Sequence, residues 1–168
     1  MGSRRIAVIG DSAGGNLALV LASRVVAEGP AAKMGLVAVA AFSPITDFTL
    51  SGASYETRAD AEPYFTRPQA AELVRSYLES ADSKDPSASR PTVDLPACRR
   101  CAFMSETMKC CWMVHADTSS VPHIGVDARL DVWMGMVHGF VGSVGKLKTS
   151  AHSLDAVGAF LNEKLQSG

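Results

Sequence analysis

The residues best suited to bond-making chemistry are Ser12, set in Gly10-Asp11-Ser12-Ala13-Gly14-Gly15, and His138, set in Trp133-Met134-Gly135-Met136-Val137-His138-Gly139-Phe140. A serine hydroxyl is a weak nucleophile at neutral pH and becomes a strong one when an imidazole removes its proton. Glycines on both sides of such a serine have a steric use. Where a strand turns sharply into a helix, a Cβ beside the turn collides with the neighbouring chain. The turn leaves the serine side chain exposed on a strained backbone. It also sets the N–H groups and positive dipole end of the new helix beside any oxyanion that forms, and the Ala13 N–H is the donor in that place.

The flanking elements fit this requirement. Arg5 to Ile9 is a short apolar, β-branched run that stops at Gly10 and reads as a buried strand. Asn16 to Glu28 follows helical spacing, with Leu17, Val20, Leu21 and Val25 on one face, and Gly29-Pro30 closes it. Gly35 to Phe42 is a second continuous apolar run, ending at Ser43-Pro44. Strand, turn, helix and strand in succession predict a βαβ unit, and hence a mostly parallel sheet flanked by helices. Asp127 to Trp133 alternates apolar and charged residues as a strand near a sheet edge does. His138 then lies in the loop beyond that strand's carboxyl end, where α/β sheets gather site residues. His152 falls in the closing amphipathic helix (150–165) and reads as a solvated surface histidine.

Between these elements, residues 46–66 are polar and irregular, Pro68 to Ser80 reads as a helix opened by proline, and Asp82 to Pro96 is a loop rich in Ser, Pro and Asp. No internal repeat or low-complexity tract is visible. The length of 168 residues with 47% apolar content predicts one domain, with 46–80 as a cap-like insertion. A formal charge of −1 with scattered basic residues argues against nucleic acid or an anionic membrane as partner. The first apolar run, Ile6 to Ile9, is too short for a signal-peptide core or a membrane span, so a cytoplasmic protein is expected.

Taken together, Gly10 through Leu17, Ser43-Pro44 with Asp47, Asp85-Pro86-Ser87-Ala88-Ser89 and Trp133 through Phe140 resemble the bacterial hormone-sensitive lipase family of esterases. The resemblance implies an α/β-hydrolase fold, no metal or organic cofactor, and hydrolysis of small-molecule carboxylic esters with short to medium acyl chains. It makes Ser12 the nucleophile and His138 the base. It also implies that two copies can pair through residues 127–133 and 150–165. The family's His-Gly-Gly-Gly loop, a source of oxyanion donors, belongs well upstream of the nucleophile, so the resemblance is to a member truncated at its N-terminus. Position 134, commonly acidic in the family, is Met134.

The family's acid motif, of Asp-x-Leu-x-Asp type, is not found before His138. The region where it belongs runs from Cys98 to His115 and shows neither the motif nor strand alternation. Asp94, Glu106, Asp117 and Asp127 are the nearby carboxylates; Asp117 is the weak candidate, and nothing in the spacing directs any of them to His138. The genetic code offers a cause. Joining the third base of each codon to the first two of the next makes residues 104–114 compatible with Val-Gly-(Asp/Asn)-Asp-Glu-Val-Leu-Leu-Asp-Gly, which resembles the missing motif. On this reading residues 97–123 are translated out of the ancestral frame, and the lost aspartate falls at the junction of Thr107 and Met108.

Two other readings compete with an active esterase. One is a catalytically inactive remnant acting at most by self-association. The other takes Cys98, Cys101, Cys110, Cys111, His115 and His123 as zinc ligands, although only the first pair has ligand spacing. The coding DNA discriminates: its shifted frame across residues 104–114 is expected to encode the Asp-Glu-Val-Leu-Leu string. Codons that cannot do so overturn the frameshift, and metal bound by the untreated but not the chelator-treated protein would favour zinc.

Overall fold

The computed structural model describes residues 5–28, 35–52, 54–57, 59–85, 110–117 and 127–167. Strand β1 (Ile6–Asp11) runs through Gly10 to the residue before Ser12, and helix α1 (Ala13–Ala27) begins at the residue after it. The helix expected from Asn16 therefore starts earlier. The Asn16 N–H already donates to the Ser12 carbonyl (3.1 Å), so Ala13, Gly14 and Gly15 make the first turn. Strand β2 (Leu36–Phe42) pairs in parallel with β1, from Ile6 opposite Leu36 to Asp11 opposite Phe42, which completes the strand–helix–strand unit.

β2 contains no polar residue and is buried along its whole length, as a strand covered on both faces must be. From Val39 onward its side chains divide between two cores by alternation, after a register shift near Leu36. Val39 and Ala41 pack with Ala18, Leu19 and Ala22 of α1. Ala40 and Phe42 pack on the other face with Phe140, Val141 and Val157. Val157 belongs to helix α4 (Lys148–Gln166), whose Leu154 and Leu161 lie against the same cluster. The far end of α4 is tied to the start of β1: Arg5 Nη2 donates to the Lys164 carbonyl (2.6 Å), a cation at the negative end of the helix.

The stretch after β2 is more ordered than its polar composition suggested. It holds helix α2 (Ser54–Thr57), a 3₁₀ turn (Ala59–Ala61) and helix α3 (Arg67–Leu78), which opens with Pro68 after the N-cap Thr66. This stretch builds an apolar cluster of its own from Ile45, Phe48, Leu50, Ala70 and Val74. Asp47 secures its start: one carboxylate oxygen accepts from the Thr49 N–H (2.8 Å), the other from the Ser51 N–H (2.8 Å) and Ser51 Oγ (2.7 Å).

Strands β3 (Cys110–Asp117) and β4 (Asp127–Met134) complete a four-stranded sheet in the order β1-β2-β3-β4. β3 runs antiparallel to both neighbours, so β1, β2 and β4 share one direction and β3 opposes it. No strand was expected between Cys98 and His115, because that stretch lacks alternation. Alternation identifies strands with one wet face, and Cys110 to Val114 is instead a continuous apolar run. The expected loop over 86–96 and the Gly29-Pro30 stop lie outside the described residues. No described helix is long and apolar enough to cross a membrane.

Partial burial alone would raise the Asp47 carboxyl; the hydrogen bonds from Thr49 and Ser51 outweigh it and hold its pKa below the ordinary carboxylate range. Asp47→Ala is therefore expected to cost about 2 kcal/mol in urea unfolding at pH 7. A depressed carboxylate stabilises above its unfolded pKa, and the contribution fades as the pH falls through the folded value. The gap between wild type and variant should accordingly close in acid.

Candidate active site

The turn from β1 into α1 is made possible by two missing side chains. A Cβ on Gly10 would lie 2.1 Å from the Gly14 carbonyl oxygen and 2.7 Å from the Gly15 nitrogen, both backbone atoms that cannot retreat. A Cβ on Gly15 would meet the Phe42 carbonyl oxygen and Pro44 Cβ, each at 3.1 Å. Gly14 was expected to be the second constrained glycine, yet nothing lies within 4 Å of a Cβ built there. The crowding comes from the next strand, whose carboxyl end passes beneath Gly15. Ser12 sits at the apex in the left-handed region (φ 55°), rare for a residue with a side chain, and its N–H donates to the Phe42 carbonyl (2.9 Å). Ala13 is the first residue of α1, so its N–H has no acceptor within the helix.

His138 reaches Ser12 from the end of β4. Gly135 (φ 75°) and Gly139 (φ 69°) take left-handed conformations on either side, letting the chain reverse twice within a few residues. Phe140 then anchors the loop in the core, fully buried. The result places His138 Nε2 2.9 Å from Ser12 Oγ, although 126 residues separate them. For Nε2 to accept the hydroxyl proton, the imidazole must carry its own proton on Nδ1.

Two further residues contact His138, and the sequence singled out neither. Glu62 Oε2 accepts the His138 backbone N–H (2.7 Å). The Phe65 ring lies against the imidazole, with centroids 4.4 Å apart and planes 15° from parallel. Both belong to the stretch leading into α3, and their only signal was membership of the 46–80 segment. Burial lowers the His138 pKa below the ordinary histidine value, against the opposing pull of the Asp11 and Glu62 carboxylates. The imidazole is therefore neutral at pH 7 and able to accept a proton. Partial burial raises the Asp11 carboxyl, against His138 and a hydrogen bond from the Ser12 backbone.

Of the carboxylates weighed as the acid, the two that are described, Asp117 and Asp127, are not brought to His138. Asp117 and Asp127 face each other across β3 and β4 at the amino end of β2, whereas Cys110 opposite Met134 marks the end near His138. Asp117 lies seven strand positions from Cys110, roughly 23 Å at the usual rise per residue, which removes it as the candidate. Asp94 and Glu106 lie outside the described residues. So do Cys98, Cys101 and His123 of the zinc reading; Cys110, Cys111 and His115 are on β3. Among the described residues no group of three or more His, Cys, Asp or Glu side chains could hold a metal ion. His152 is exposed on α4.

With this geometry in place, comparison with known proteins is informative. A family model described as the alpha/beta hydrolase fold matches residues 1–142. Among solved structures the chain is similar to EstE5, crystallised and soaked with ethyl alcohol, with a TM-score of 0.66 and 22% identity. That superposition covers 99% of this chain and 55% of EstE5, so the chain spans about half of that protein's length. At such identity the likeness speaks for the fold alone. No curated protein matches the sequence.

The two glycines that were treated as equivalent by spacing should behave differently. Gly10→Ala is expected to destabilise by about 3 kcal/mol, since backbone must move to admit the methyl group. Gly14→Ala should stay within about 0.5 kcal/mol of wild type. Urea unfolding of both variants checks this; equal losses would mean that the close approach at Gly10 is not a constraint.

Proposed function

The chain belongs to the alpha/beta hydrolase fold family, and on that premise we propose that Ser12 and His138 hydrolyse small carboxylic esters through an acyl-enzyme. The observation that carries the reading is the 2.9 Å approach of His138 Nε2 to a serine hydroxyl held at a strained strand–helix turn. As Ser12 Oγ attacks the ester carbonyl carbon, Nε2 takes its proton. The negative oxygen of the tetrahedral intermediate accepts from the Ala13 N–H. The imidazolium returns its proton to the departing alkoxide, which leaves as the alcohol. Water then attacks the acyl-enzyme while Nε2 takes one of its protons, and Ser12 leaves with that proton as the acid is released.

Esters with short to medium acyl chains are the proposed substrates, following the resemblance in the motifs, and a second copy of the chain is the proposed partner at β4 and α4. A non-catalytic role is the second reading, favoured by one observation. No described residue accepts a hydrogen bond from His138 Nδ1, the task of the acid in a complete triad, and removing that acid's charge in a serine protease costs about ten-thousandfold in kcat.

Hydrolysis of a p-nitrophenyl short-chain ester by wild type, Ser12→Ala and His138→Ala tests the proposal. Wild type is expected to exceed both variants, and a fluorophosphonate should label wild type but not Ser12→Ala. The acid limb of kcat/KM should lie below the ordinary histidine pKa, because the base stays unprotonated to lower pH when burial depresses its pKa. Equal rates for wild type and Ser12→Ala would sink the hydrolase reading and leave the non-catalytic one.

A further inference from the structure

We propose that Glu62 is a positioning residue for His138, its carboxylate fixing the histidine from the backbone side and supporting the imidazolium through its charge. The inference rests on the reading of His138 as the base and adds a residue that neither the family match nor the motifs assign. Both Glu62 oxygens are engaged: Oε2 by the His138 N–H (2.7 Å) and Oε1 by the Tyr64 N–H (3.0 Å). A carboxylate held by two backbone donors has a defined position, unlike a free surface glutamate. Immediately afterwards Phe65 lies flat on the imidazole, restricting the ring's rotation.

The stretch from 62 to 65 therefore grips His138 twice, by its backbone and by its ring face. Helix α3 anchors this stretch in turn. The Thr66 N–H donates to Gln69 Oε1 (2.8 Å) at the head of α3, and Ala70 and Val74 of that helix are buried against Ile45, Phe48 and Leu50. Among the described residues, Ser12 and Phe65 contact the ring, and Asp11 and Glu62 act on it through their charge. Asp11 and Glu62 both raise the His138 pKa through their charge, and Glu62 is the one also bonded to the histidine backbone.

A neutral hydrogen-bond acceptor would suffice for a purely structural tie, so Glu62→Gln separates the roles. Glutamine keeps an acceptor oxygen for the His138 N–H and removes the charge. NMR titration of the His138 imidazole in the full chain is the primary readout, because it needs no turnover and survives failure of the hydrolase reading. The midpoint is expected to move to lower pH in Glu62→Gln and to stay put in Glu56→Gln, a control on exposed α2. Where ester hydrolysis is measurable, kcat should fall about tenfold with KM little changed, and Glu62→Asp should recover part of it.

An unchanged His138 midpoint in a folded Glu62→Gln protein would overturn the proposal and leave Glu62 a structural acceptor. If circular dichroism shows that variant unfolded, Glu62→Ala, which also removes the charge, is titrated in its place, and an unchanged His138 midpoint there would equally overturn the proposal.

Discussion

Phe42, the last residue of β2, controls both halves of the site at once. Its carbonyl accepts the Ser12 N–H, which pins the strained residue at the apex of the turn. Its side chain is buried with Phe140, two residues beyond His138. The same carbonyl would meet a Cβ on Gly15, so the first turn of α1 can sit where it does only because that position is glycine. Ser12 and His138 come from opposite ends of the chain, and the distance between them is referred to one residue on a strand buried on both faces. Packed interiors deform little, so this is a stiffer reference than any direct contact between two surface loops could be.

How much of the molecule is legible in the sequence depends on how local each constraint is. β1, α1 and β2 were legible because continuous apolar runs and a helical face are properties of adjacent residues, and the turn between them is confined to Gly10 through Gly15. His138 was legible because it comes after a strand with alternating residues. Glu62 and Phe65 were not, because their partner lies more than seventy residues away and neither belongs to a patterned element. β3 was missed for another reason. Cys110 to Val114 is a continuous apolar run without alternation, and nothing local in Cys110 to Asp117 encodes its direction. Spacing likewise treated Gly10 and Gly14 as equivalent, whereas the crowding falls on Gly10 and Gly15, because it depends on where β2 passes beneath the turn.

On the proposed reading, the groups around His138 share work that a single acid performs in a complete triad. A carboxylate on Nδ1 both orients the imidazole and stabilises its protonated form. In the proposed chemistry orientation comes from Phe65 on the ring face and Glu62 on the backbone, while stabilisation comes from the field of Asp11 and Glu62. The two contributions differ in strength. Ring stacking and a backbone bond restrict position whether or not the ring is charged, so they lower the entropic part of the barrier. Carboxylates that do not touch the ring act through a partly hydrated path and so support the developing charge less than a direct bond would. Burial still exceeds their combined pull, leaving His138 below its ordinary pKa. That balance suits a base that must begin neutral, while the pull of the two carboxylates supports the imidazolium once it forms. In the proposed chemistry the step that depends most on that support is proton return to the leaving group, because the imidazolium persists until that proton is given up.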